Sequence, residues 1–202
     1  MAINNTHLGG RIELLEPSAM DESQRRLYNP ILRDAVPWAQ SSGFVAALPD
    51  GKVIGPFNLA LQSPEIGAAF ANLQSTEESS STLTARMRQL VILTVGSIWQ
   101  CDYERYAHGA VARKVGLPQQ VIDVVANGMD PQGLSEQELL ACRLTAEICV
   151  HHKVPQDLFE RAQAALGDRG IVDLLFLAGC YVTVCSLLNT FEVPVPTSGP
   201  GN

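Results

Sequence analysis

Three side chains able to act as nucleophile, acid or base fall on one stripe of one segment: Cys101, Glu104 and His108, inside the stretch Arg86–Gly116. An α-helix turns about 100° and rises about 1.5 Å per residue, so Cys101 and His108 point almost the same way, roughly 10 Å apart along the axis. Glu104 lies between them, slightly to one side, and stands at i,i+4 to His108, within hydrogen-bonding reach. Imidazole titrates near neutral pH and can both take and give a proton, while a neighbouring carboxylate fixes its tautomer and orientation. The pattern predicts acid/base chemistry with His108 as the acid/base and Glu104 orienting it or sharing the proton. The plain alternative is a solvated Glu–His pair contributing roughly a few tenths of a kcal/mol. Cys101 has three readings: a redox thiol, the wall of a pocket, or a small buried hydrophobe.

Around this stripe stand side chains suited to holding a substrate. Arg86 and Arg88 are candidates for an anion site, against surface salt bridges as the alternative. Trp99, Tyr103 and Tyr106 are candidates to wall a pocket, although aromatics at such spacings also build cores. Asn58, in the Gly/Pro-rich G-P-F-N at Gly55–Asn58, is a polar residue that a loop can bring to a site, or simply a turn residue. His151 and His152 face about 100° apart on a helix and have no Cys, His or Asp cluster beside them, so no metal site is expected. A helix C-terminus favours such cations. Cys142, Cys149, Cys180 and Cys185 read as core, and His7 has no context.

The elements that must position these groups are helices. Met1–Leu15 reads as an extended arm. Asp21 caps a helix to about Tyr28, which Pro30 ends or kinks, and a second short helix covers Ile31–Gln40. Ser42–Asn58 reads as loop, and Ser63-Pro64 starts a helix to about Leu73. The serine-rich Gln74–Thr82 reads as a linker or surface loop. Leu83–Trp99 keeps a helical apolar period, and the Cys101 helix follows to Gly116. Gln119–Ala126 is a short helix; Ser135-x-x-Glu138 is a capping box opening a helix to about His152. Pro155–Leu166 and Gly170–Leu188 are the last two, separated by Gly167. With no convincing strand, the expected class is an all-α bundle, divided as an N-terminal helical arm and loop over 1–74 and a helical core over 75–202, merged as one domain.

The chain has 202 residues, 46% hydrophobic and 17% charged, which suits a helix-rich globular protein with a sizeable core. A formal charge of -7 argues against nucleic acid and against an anionic membrane surface as partners. The N-terminus lacks the layout of a signal peptide, and the longest apolar candidate, Ile171–Leu188, carries Asp173, two Thr and a Ser, suiting a buried helix better than a membrane span. Five cysteines without a regular framework fit a reducing, cytoplasmic setting.

R-x-L-V-I-L at Arg88–Leu93, C-D-Y-E-x-x-x-H at Cys101–His108 and G-L-P at Gly116–Pro118 together resemble the carboxymuconolactone decarboxylase family, which includes the alkylhydroperoxidase D proteins. G-P-F-N, L-x-S-P-E at Leu61–Glu65 and the closing L-N-x-F-E-V-P-V-P at Leu188–Pro196 extend the resemblance. It implies an alkylhydroperoxidase D-like helical bundle with an N-terminal helical extension, a homo-oligomer (trimer or hexamer), and His108 as the site histidine. The peroxidase branch pairs two cysteines as C-x-x-C with an upstream relay Glu. Here the second cysteine position is Glu104 and the relay position is Gln89, which cannot act as an acid. The resemblance therefore implies a cofactor-free lyase: decarboxylation, or related proton transfer, on a small anionic or lactone substrate. His108, Glu104 and Cys101 would form its centre, and Arg88, Gln89, Trp99, Tyr103 and Asn58 its substrate-binding set. The alternatives are a thiol-dependent hydroperoxide reductase working through Cys101 and a non-catalytic oligomeric binding protein.

Overall fold

The computed structural model describes residues 8–129 and 131–196; His7 and the start of the expected arm lie outside the described residues. Among the described residues the secondary structure is helical, apart from one bridging pair, Ala47 and Val53, so the protein is all-α as expected. The chain divides into two compact units, one running to Leu73 and resuming at Ser186, the other Gln74–Cys185.

In the first unit, α1 (Glu22–Pro30) opens with a reciprocal cap: Asp21 Oδ1 accepts from the Gln24 N–H at 2.8 Å and Gln24 Oε1 accepts from the Asp21 N–H at 3.0 Å. Pro30 does not end this helix. The backbone widens into a π turn over Ile31–Ala35, where the Val36 N–H reaches the Ile31 carbonyl, and continues as α2 (Val36–Ser42). A wider register accommodates prolines whose rings and missing N–H groups would break a regular α ladder. Helix α3 (Pro56–Leu61) begins inside the expected loop, with proline in its first turn. The arm is tied to the closing segment: the Arg11 N–H donates to the Phe191 carbonyl at 2.7 Å, and its guanidinium donates to the Thr190 carbonyl at 3.0 Å and pairs with Glu192.

Helix α4 (Pro64–Ser80) passes from the first unit into the second, correcting the loop expected over Gln74–Thr82. Its serine-rich end is an exposed helical surface rather than a linker. What holds it is Glu77, buried against Arg88, and the Ser80 carbonyl, which accepts from the Arg169 guanidinium at 2.9 Å.

The second unit is centred on α5 (Ala85–Ile98), capped by Thr84, in which every residue from Met87 to Gly96 is buried. Helices α6 (Asp102–Lys114), α7 (Gln119–Ala126) and α8 (Glu136–His151) pack on it. Leu90 and Leu93 of α5 meet Ala112, Val121, Ile122, Val125 and Cys142 in one apolar core. The Ser135–Glu138 capping box forms as expected. The last element, α9 (Gln156–Thr190), breaks at Gly167, whose φ of 71° and ψ of 167° lie in a region open essentially to glycine alone. By length and composition α9 is long and apolar enough to cross a membrane, and 44% of its most apolar stretch is buried within the fold.

Candidate active site

The site is built where α6 starts. The chain leaves α5 through Trp99 and turns at Gln100, whose φ is 49°; it enters α6 with Cys101 in extended geometry at the N-cap. Glu104 therefore occupies the first turn of α6 and His108 the next. Both are buried, 3% and 6% exposed, so they are not a solvated surface pair. Gly96 of α5 lies against Glu104: a Cβ there would meet the Glu104 Cβ at 3.4 Å, in van der Waals contact.

His108 is held from three sides. Its Nδ1 lies 2.8 Å from Gln89 Oε1, its Nε2 lies 3.5 Å from Glu104 Oε2, and the Tyr181 ring stands edge-on at 4.9 Å. An amide oxygen only accepts, so Nδ1 carries the proton and Nε2 presents its lone pair toward Glu104. Burial, with the Arg88 charge adding to it, pushes the His108 pKa down to about 3. The ring is neutral at physiological pH, with Nε2 open as a lone pair. Glu104 moves the other way: burial, then the nearby Cys101, pushes its pKa up to about 8. It is a carboxylic acid at neutral pH, and its Oε2 is a buried oxygen with no hydrogen bond.

The expected substrate set separates. Gln89 joins the site through His108. Arg88 is compensated by Glu77 in a buried ion pair, and Arg86 by Glu138 at 2.9 Å, with the Gly116 carbonyl at 2.7 Å. Neither arginine stands as a free cation: each forms a salt bridge, the alternative to an anion site. Tyr103 is buried, with its ring 6.1 Å from that of Tyr106, and desolvation keeps its hydroxyl protonated. Trp99, just past the end of α5, is 36% exposed. Asn58 is also corrected: its Oδ1 accepts from the Leu15 N–H at 3.0 Å and its Nδ2 donates to the Glu13 carbonyl at 3.2 Å, so its polar atoms hold the arm.

Cys101 is buried, and its pKa is lowered, with the nearby Cys185 thiol of α9 as the largest cause. Cys185, read from sequence as plain core, is thus a neighbour of the site. Glu77, Tyr181 and Cys185 were all missed by sequence reasoning; each lies on a helix remote in sequence from Cys101–His108, and no local spacing signals their approach. Among the described residues no group of three or more His, Cys, Asp or Glu side chains is arranged to hold a metal ion.

Residues 64–147 match the Carboxymuconolactone decarboxylase family. No curated protein matches the chain in sequence. Among solved structures, an uncharacterized peroxidase-related protein with an alkylhydroperoxidase AhpD core from Ralstonia eutropha JMP134 is similar at a TM-score of 0.73 and 19% identity, covering 95% of this chain and 94% of its own. A putative antioxidant defence protein AhpD of unknown function from Agrobacterium tumefaciens is similar at a TM-score of 0.64 and 25% identity, covering 70% of this chain and 97% of its own. The debrominase Bmp8, as a cysteine-to-alanine variant in complex with 2,3,4-tribromopyrrole, is similar in fold at a TM-score of 0.70 and 9% identity, over 96% of this chain and 94% of its own.

Proposed function

We propose that the chain, whose residues 64–147 match the carboxymuconolactone decarboxylase family, is a cofactor-free lyase in which Glu104 is the proton carrier. The observation that carries this reading is the free, buried Oε2 of a carboxyl whose pKa is pushed up to about 8, beside a neutral His108. A general acid is most effective with a pKa near the working pH.

In the proposed reaction a substrate carboxylate leaves as carbon dioxide, and its bonding electrons move into a conjugated lactone carbonyl. The neutral Glu104 donates a hydrogen bond where that negative charge develops, then gives its proton to carbon; solvent restores it. A neutral acid receives an anionic substrate without the repulsion that a buried carboxylate would exert. His108 Nε2, its tautomer fixed by Gln89, faces Glu104 Oε2 as a lone pair at 3.5 Å and so favours the protonated form of the carboxyl. The fully compensated Arg88 and Arg86 favour a substrate whose charge is lost during turnover over one that remains a tightly held anion.

Ultraviolet-monitored turnover of 4-carboxymuconolactone, made in situ, by wild type, Glu104→Gln and His108→Gln tests the reading. Product from wild type, with Glu104→Gln at least about 100-fold slower, is the expected result. Absence of turnover by wild type would remove this substrate; unchanged turnover in Glu104→Gln would remove the mechanism.

A further inference from the structure

Gln89, Cys101, Glu104 and His108 are all buried, whereas Tyr181 of α9, which packs on His108, is not. Tyr181 lies on the inward face of its helix: Leu177 and Ala178 one turn before it, and Val184 and Cys185 one turn after it, are buried. Tyr181 itself is only half-buried. Solvent therefore touches this face of α9 at the ring that meets His108, with the ring centroids 4.9 Å apart and the planes at 86°.

The Tyr181 hydroxyl makes no hydrogen bond to any described residue. A tyrosine turned into a protein interior usually finds a partner for its O–H, so a free one beside a polar site is a donor left for a ligand. It keeps its proton. Burial raises its pKa well above the ordinary phenol value; Glu104 adds to the rise, Arg88 opposes it, and Glu78 and Glu77 add to it more weakly. Glu104 Oε2, 3.5 Å from His108 Nε2, is likewise without a hydrogen bond. The phenol and the carboxyl thus border the same imidazole, one against its ring and the other at its Nε2.

In the lyase reaction a carboxyl aimed at the carbon it must protonate cannot at the same moment hold the carbonyl oxygen. Resting on that reading, we propose that Tyr181 is a second catalytic group: a hydrogen-bond donor that receives the carbonyl oxygen of a conjugated lactone while Glu104 serves its carbon. The bond from ring carbon to carboxylate breaks, carbon dioxide leaves, and the electron pair moves through the conjugated double bond onto the carbonyl oxygen. Tyr181 donates a hydrogen bond to that oxyanion without giving up its proton. The electrons then return to form a C–H bond with the Glu104 proton, and solvent reprotonates Glu104. The substrate class that fits is a carboxylated, conjugated lactone whose carbonyl faces α9.

The test uses Tyr181→Phe, which keeps the ring against His108 and removes only the donor, and is expected to unfold at the wild-type temperature. Its kcat on 4-carboxymuconolactone is expected to fall about 100-fold with KM little changed; a retained kcat overturns the proposal. The second readout needs no turnover: the infrared carbonyl band of 2(5H)-furanone carrying carbon-13 at its carbonyl, bound to each protein. The band is expected at lower frequency in wild type than in Tyr181→Phe. Equal frequencies, or no saturable bound band in wild type, overturn the proposal. A wild-type band no lower than that of the furanone in dry hexane does so even where the variant fails to fold. A Tyr181-dependent shift in a wild type that leaves 4-carboxymuconolactone unchanged would support the carbonyl donor while removing that substrate.

Discussion

Nδ1 of His108 and Oε1 of Gln89 stand 2.8 Å apart, and this single contact orders the whole site. Because the amide oxygen can only accept, the imidazole proton is committed to Gln89, and the other ring nitrogen faces Glu104 as a lone pair. Gln89 is thus an amide that locks a tautomer. Gln89→Leu is expected to lower kcat by about 10- to 100-fold, with KM little changed, because the supporting contact is lost while Glu104 remains. A change in KM alone, at constant kcat, would place Gln89 on the substrate instead.

The opposed pKa shifts of Glu104 and His108 give stability two separate pH limbs. Glu104 has a folded pKa raised from 4.5 to about 8, so its contribution is fully present below 4.5 and is lost as pH rises toward 8. His108 has a folded pKa lowered from 6.5 to about 3, so its contribution is present above 6.5 and is lost as pH falls toward 3. Urea denaturation across this range is expected to show both slopes in wild type. Glu104→Gln should remove the first slope and leave the second; persistence of the alkaline decline in that variant would show that another group causes it.

Arg88 and Glu77 are buried together, so removing one leaves the other charged in an apolar setting. Arg88→Met alone is expected to destabilise by about 3–5 kcal/mol, whereas Arg88→Met with Glu77→Leu should recover most of that loss. Denaturant midpoints of the two singles and the double complete the cycle. Additive losses would mean that the pair is not coupled.

Gly167 breaks α9 in a conformation that side chains resist, yet a Cβ there would meet nothing within 4 Å. Gly167→Ala is therefore expected to destabilise through backbone strain alone, by about 1–3 kcal/mol. A neutral result in thermal unfolding would mean that the helix can straighten at no cost.

Much of this protein was readable from local pattern. The helical period of Leu83–Trp99, the Ser135–Glu138 capping box and the Gly167 break each write their structure into a few neighbouring residues. Gln74–Thr82 misled because serines read as loop on propensity, whereas a buried charge pair at Glu77 and a guanidinium on the Ser80 carbonyl extend the helix. Asn58 misled similarly, since its loop-like Gly-Pro setting gave no hint that its amide would hold the arm. The stripe of Cys101, Glu104 and His108 was visible in spacing, but its chemistry was not. Which group carries the proton depends on burial and on Gln89 and Arg88, and the approach of Cys185 depends on how α9 folds back.

Gly96 carries no functional group, yet it sets how closely the backbone of α5 lies against the Glu104 side chain. Alanine fits there at van der Waals distance, whereas a side chain longer than one carbon would press on Glu104 and part α5 from α6, and water reaching the carboxyl would let it ionise more readily. Variation at position 96 would surface as a shifted pH optimum, an effect that an inventory of reactive side chains would assign to the wrong residue.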